Sequence, residues 1–285
     1  TICFKIKFVD LNGDSLFTSR QGRIFDNSQG VPAPYATLSQ DTADSVVTSS
    51  FCWTTQCPHA RPSSPYIFTF TVADNACNVT QKTFTILVNP KAVLNPPNLR
   101  CVDIVSNDSI RLTFTKPSYL KDFDKYYLYR RTGTTGSCTL IDSLTDTTVT
   151  SYIDTSIHNA LTVSYGYTLR TRSTCNVYGA GCDTVNSISV TGAKVLSHCT
   201  GLTWTPHRQN WQSLYKVYRI VGTTKTLVDV TRNTSYLKCD CNSSGKFEIE
   251  VDDSVVSCTS HSNYTASFTN IDTTAPKAVT ITRAT

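Results

Sequence analysis

Two kinds of residue in this 285-residue sequence have the type and spacing to do chemistry: carboxylates near the amino terminus and cysteines throughout. Asp10-Leu11-Asn12-Gly13-Asp14 sets side-chain oxygens at alternate positions, the opening pattern of a calcium loop, so Asp10, Asn12 and Asp14 are candidate calcium ligands. The match stops there. The position that needs glycine in such a loop is Ser15, and the position that needs a bidentate glutamate is Gln21. A β-turn with Asn-Gly at its tip uses the same residues. Asp74 and Asn75 become further ligands only if folding brings the two loops together. No cofactor other than calcium is suggested.

The twelve cysteines fall four to each third of the chain, an even count that internal pairing requires. Cys239-Asp240-Cys241 and Cys52-x4-Cys57 could each begin a zinc site, but neither has a second pair at zinc spacing, and the five histidines do not complete one. Disulfides are the expectation, and with them an oxidising compartment. Four cysteines permit three pairings, so connectivity stays open; the favoured set is Cys3–Cys52, Cys57–Cys77, Cys101–Cys175, Cys138–Cys182, Cys199–Cys258 and Cys239–Cys241.

Catalytic signatures are missing. The only glutamates, Glu248 and Glu250, stand on one face of a single strand rather than across a cleft. There is no GxSxG, HExxH or glycine-rich phosphate loop, so no catalytic residue is assigned. The net charge of +5 is spread along the chain, with Arg130-Arg131 its longest basic run, which does not make a nucleic-acid footprint. No stretch approaches the roughly 18–20 apolar residues of a membrane span. The sequence reads as a segment of a longer or processed chain.

The elements that must position these residues are β-strands. Ser109–Arg130 (SIRLTFTKPSYLKDFDKYYLYR) has an alternating strand, a Pro-containing loop and a tyrosine-rich strand, and Gly201–Arg219 repeats it about ninety residues on. That period is the length of an immunoglobulin-like sandwich. The expected architecture is all-β: tandem immunoglobulin-like sandwiches linked by disulfides, at 1–90, 99–193 and 194–271. A Pro-rich linker fills 91–98, and 272–285 forms a linker and the start of a further module. Trp53 is expected in the first core, while Trp211, Tyr35 and Tyr178 are candidates for exposed aromatic contacts with a ligand.

The LTFTKP and LTWTP strands, the YLYR and KVYR strands and the recurring TSY step make the second and third units resemble fibronectin type III modules. Tyr66–Cys77 (YIFTFTVADNAC) resembles cadherin-like or hyalin-type repeats. FCWTTQC, FTVADNAC, the Pro-rich linker and LRCVDI together resemble gliding-motility-associated, type IX secreted surface proteins of Bacteroidota, with adhesins of the SprB kind among them. The resemblance implies a bacterial cell-surface location and a non-catalytic mechanical stalk and attachment array. Its implied partners are neighbouring modules of one long chain and surface polysaccharide or other cell-surface proteins. Proteins of that group carry O-glycans at Asp-Ser/Thr-small or aliphatic triplets, which makes Ser15, Thr42, Ser45, Ser109, Ser143, Thr147, Thr184, Ser254 and Thr273 candidates here. The alternative from another class is a carbohydrate-binding accessory region of a secreted glycan-degrading enzyme.

Overall fold

The computed structural model describes residues 1–39, 41–90, 93–181, 184–196, 199–208, 213–239 and 244–269. The chain divides into two compact units, Thr1–Ala92 and Val93–Thr285.

In the first unit, strands alternate apolar and polar residues, so each buries one face. They are β1 (Ile2–Val9), β2 (Ser15–Gln21), β3 (Thr37–Leu38), β4 (Thr42–Asp44), β5 (Val46–Trp53), β6 (Tyr66–Asp74) and β7 (Val79–Ile86). Two sheets result, ordered β1-β5-β3 and β4-β2-β6-β7. Phe51 of one stacks on Phe68 of the other at 5.1 Å, and Phe68 stacks on Phe84 at 5.7 Å. Trp53 is buried, as expected, with Nε1 donating to the Pro34 carbonyl at 3.0 Å and its ring edge-on to Tyr66.

The second unit holds two sandwiches of like design. One has β8 (Asn98–Ser106), β9 (Ser109–Thr115), β10 (Phe123–Thr132), β11 (Thr139–Leu144), β12 (Ser151–Asp154), β13 (Tyr165–Ser173) and β14 (Val185–Asn186). The other has β15 (Val190–Leu196), β16 (Cys199–Trp204), β17 (Tyr215–Val221), β18 (Thr224–Thr231), β19 (Ser235–Cys239), β20 (Lys246–Asp253) and β21 (Cys258–His261). The orders β12-β9-β8 over β11-β10-β13-β14 and β15-β16-β19 over β18-β17-β20-β21 are the same three-over-four arrangement. This is a fibronectin type III-like order, and it follows the sequence repeat strand for strand. Leu112, Phe114, Tyr126 and Leu128 fill one core where Leu202, Trp204, Tyr215 and Val217 fill the next.

The junction between these two sandwiches differs from the expected end at residue 193. β15 already belongs to the later sandwich, pairing Val190 with Trp204, so only residues 187–189 connect the two. With no slack, the sandwiches pack against each other. Cys101 of β8 is bonded to Cys258 of β21, which replaces both expected pairs Cys101–Cys175 and Cys199–Cys258. Cys199 is bonded to Cys239, its direct partner across β16 and β19, and this overturns Cys239–Cys241. In the first unit Cys3 is bonded to Cys52, its opposite number in the β1–β5 register. Cys77 is a free thiol, which overturns Cys57–Cys77; Cys57 and Cys175 are each disulfide-bonded. Cys138 is also free, contrary to Cys138–Cys182; Cys182 and Cys241 lie outside the described residues.

Candidate functional site

Antiparallel pairing of β2 with β6 sets Leu16 opposite Asp74, so the start of one strand meets the end of the other. The Asp10–Asp14 turn closes against the same end through Asp10 N–H to the Ser45 carbonyl and Ser45 N–H to the Asp14 carbonyl. Oxygens of Asp10, Asp14 and Asp74 then lie within 4.8 Å of one another. Three hard oxygen donors suit calcium. Asp10 Oδ2 is buried with no hydrogen-bond partner, an orphaned acceptor that a cation would satisfy. Asp10 Oδ1 accepts the Asn12 backbone N–H at 2.9 Å, and the Asn12 side chain is exposed. Asn78 donates to both oxygens of Asp74 at 2.8 Å, and these bonds lower the Asp74 pKa. Two of the three sequence candidates therefore meet at this end, and Asp74 joins them from a distant turn.

A second surface forms on the outer face of the β11-β10-β13-β14 sheet. Tyr126 and Leu128 point into the core, so the alternate residues Lys125, Tyr127, Tyr129 and Arg131 face outward. Register places Arg172 beside Lys125, Arg170 beside Tyr127 and Thr168 beside Tyr129. Tyr178 returns on a bridge opposite Arg172, bringing its ring to 5.8 Å from Tyr127 at a shallow 23°. The Tyr129 ring lies 6.4 Å from that of Tyr127. Arg172 lies over the Tyr127 ring and donates through Nε to Asp124 at 2.6 Å, which raises the arginine pKa. Arg170 is held through Nε on the Gly179 carbonyl. Tyr35 is half-buried in the first unit, and Trp211 lies outside the described residues. Sequence reasoning picked Tyr178 but missed Tyr127 and Tyr129, although alternation about a buried Tyr126 was the available signal.

A serine–histidine contact among the described residues is buried. Ser260 Oγ lies 3.5 Å from His207 Nε2 at the junction, but both side chains are shut off from solvent and Ser260 Oγ accepts the Val102 N–H at 3.0 Å. Burial pushes the His207 pKa down to about 4. No substrate reaches this pair. The two glutamates are likewise occupied, with Lys225 donating to both.

Of the glycan-type triplets, Thr42, Ser143 and Ser254 are exposed, whereas Ser15, Ser45, Ser109, Thr147 and Thr184 are half-buried. Ser15 donates to Asp44, Ser109 shares a hydrogen bond with Ser106, and Thr184 shares one with Thr168. Thr273 lies outside the described residues.

No family model and no curated protein matches the chain. Solved structures with which it aligns are multidomain arrays. Titin domains A168–A170 share 16% identity over 64% of this chain at a TM-score of 0.31, and the chain spans 56% of that structure. The central fibronectin-III array of RIM-binding protein shares 11% over 64% of this chain and 71% of its own, at 0.29. Chicken CNTN1 domains FN1–FN3 share 11% over 94% of each chain, at 0.30. At this level of likeness the functional reading rests on the residues themselves.

Proposed function

We propose that this chain is a non-catalytic segment of an extracellular bacterial surface adhesin or filament, of the gliding-associated, type IX exported kind that its motifs resemble. It acts as a mechanical stalk and attachment array, linked to neighbouring modules of a longer chain. The observation that carries this reading is the Cys101–Cys258 bond, which closes a span of 157 residues across a module junction. Tension applied beyond residues 101 and 258 passes through that covalent link and bypasses almost the whole of both sandwiches. At a maximal reach of about 3.3–3.6 Å per residue, the shielded chain holds on the order of 500 Å of extension. Such a link helps a chain that is pulled and does nothing for a catalytic cleft. Calcium at Asp10, Asp14 and Asp74 would join two turns of the first unit in the same way, and the exposed triplets Thr42, Ser143 and Ser254 are the proposed glycan sites.

The test is to pull the oxidised chain by its ends in a force spectrometer. The length between residues 101 and 258 should stay hidden until reductant is added, then appear as extension on the order of 500 Å. Oxidised molecules that already release two separate sandwich-sized steps from residues 93–269 would remove the mechanical reading.

A further inference from the structure

We propose that the tyrosine–arginine face of β10 and β13 is a binding site for an acidic polysaccharide, one that bears carboxylate or sulfate groups. The rings of Tyr129 and Tyr178 each lie near that of Tyr127, making an apolar patch with phenol groups along it. Tyrosine offers this combination, a ring face for the C–H side of a sugar and a hydroxyl for its polar edge. Tyr178 is 47% exposed, the most open of the three. A face presented only for packing would have covered it.

The charges around the patch select the ligand. Lys125, Arg131, Arg170 and Arg172 share the outer face, with Asp124 as the carboxylate beside them. Asp124 already pairs with Arg172 and Arg131 donates to Asn186 Oδ1, which leaves Lys125 and Arg170 with no anion matched to them among the described residues. Arg170 is fixed at Nε by the Gly179 carbonyl, and its two terminal nitrogens have no protein acceptor among the described residues. A guanidinium held this way presents a planar pair of donors, the geometry that takes a carboxylate or sulfate in bidentate fashion. The groups sit on adjacent strands of a hydrogen-bonded sheet, so their spacing is set before a ligand arrives. A neutral glycan would use the rings and leave the guanidinium groups unmatched.

Disulfides place the chain in an oxidising compartment. The extended polyanions met there are acidic glycans, and single-stranded nucleic acid, which also stacks on aromatic rings beside basic groups, is the competitor to test. The choice of polymer rests on the extracellular reading above. The site itself does not depend on the stalk mechanism, and the two experiments fail independently.

Binding of the intact oxidised chain is measured by affinity electrophoresis and calorimetry against polygalacturonate, dextran sulfate, neutral dextran and oligo-dT. Retention by polygalacturonate or dextran sulfate is expected, weakening as salt is raised, with neither neutral dextran nor oligo-dT retained. Tyr178→Ala and Arg170→Gln each lower that affinity about tenfold. Both residues are on the surface, and unchanged melting of each variant separates lost contact from lost fold. Tyr178→Phe keeps the ring and retains more affinity than Tyr178→Ala. The assignment is overturned by equal or stronger retention on oligo-dT, by binding of neutral dextran to the same extent, by binding that ignores both substitutions, or by no retention on either acidic polymer.

Discussion

Cys101 and Cys258 belong to different sandwiches yet share one covalent bond, and the polar groups beside them follow suit. Val102 N–H donates to Ser260 Oγ at 3.0 Å, Arg100 pairs with Asp253 at 2.7 Å, and Arg208 reaches the Leu99 carbonyl. The junction is thus a sealed interface in place of a hinge. In the chain-entropy account, a closed loop of this length constrains the unfolded chain by about 5 kcal/mol. The double substitution Cys101→Ser, Cys258→Ser should therefore lower the melting temperature of residues 93–269 and split their calorimetric transition in two. An unchanged single transition would show that the bond adds nothing to the joint.

The same junction should respond to pH through two histidines with opposite signs. His261 donates to Asp103 across the interface at 2.7 Å, and that bond raises its pKa, assisted by Glu250 and Glu248 and opposed by desolvation. Its stabilisation is complete below the ordinary histidine value near 6.5 and is lost as pH rises through the higher folded value. Asp252 adds its charge nearby, and Lys225 pairs with both glutamates. His207 runs the other way. Burial holds it neutral down to about 4, so acidification from about 6.5 to 4 favours the unfolded chain, by about 3 kcal/mol in all. Urea titrations between pH 4 and 9 should find His261→Gln losing the decline seen in the parent above pH 6.5 while keeping the acid limb. A variant whose alkaline limb matches the parent would refute the His261 assignment.

How far these features were legible from sequence depends on the range of the interaction. Alternation around Tyr126 and Leu128, or Leu112 and Phe114, is local, and it gave the strands and their buried faces. Cys3–Cys52 is a registered pair within one sheet. The bond from Cys101 to Cys258 was out of reach because it depends on β8 of one sandwich meeting β21 of another, a consequence of a connector only three residues long. The Asp10-Asn12-Asp14 turn was visible, but Asp74 reaches it only through the β2–β6 register. Tyr178 is a candidate exposed aromatic from sequence alone. Its stack on Tyr127, fifty-one positions earlier, needed the return of the chain beside β13.

A tyrosine closes the corner before a long strand in both units. Tyr66 donates to the His59 carbonyl at 3.0 Å and Tyr165 to the His158 carbonyl at 2.5 Å, each reaching back seven residues. This is the tyrosine corner of immunoglobulin-like sandwiches. Tyr66→Phe and Tyr165→Phe keep the ring and remove the hydroxyl, and each should cost about 1 kcal/mol in denaturant unfolding. The two costs should add in the double variant, since the residues serve separate cores. A cost near zero for both would reduce the corner to packing alone.

Calcium can be tested through the one orphaned acceptor at the Asp10 turn. If a cation sits among Asp10, Asp14 and Asp74, it satisfies Asp10 Oδ2 and offsets the mutual repulsion of three carboxylates. Binding to the folded state alone stabilises by about 2.7 kcal/mol at a hundredfold excess over the dissociation constant. Melting of the first unit, followed within the whole oxidised chain by hydrogen exchange at β2 and β6, should rise with added calcium and fall with chelator. Asp14→Asn removes a charge from the cluster without disturbing the bond from Ser45 N–H to the Asp14 backbone carbonyl, so it should abolish most of the calcium response. It should also raise stability slightly in chelator, because the unliganded site then holds one fewer negative charge. If calcium and chelator leave exchange unchanged while Asp14→Asn still stabilises, the three aspartates are a strained turn and no metal site.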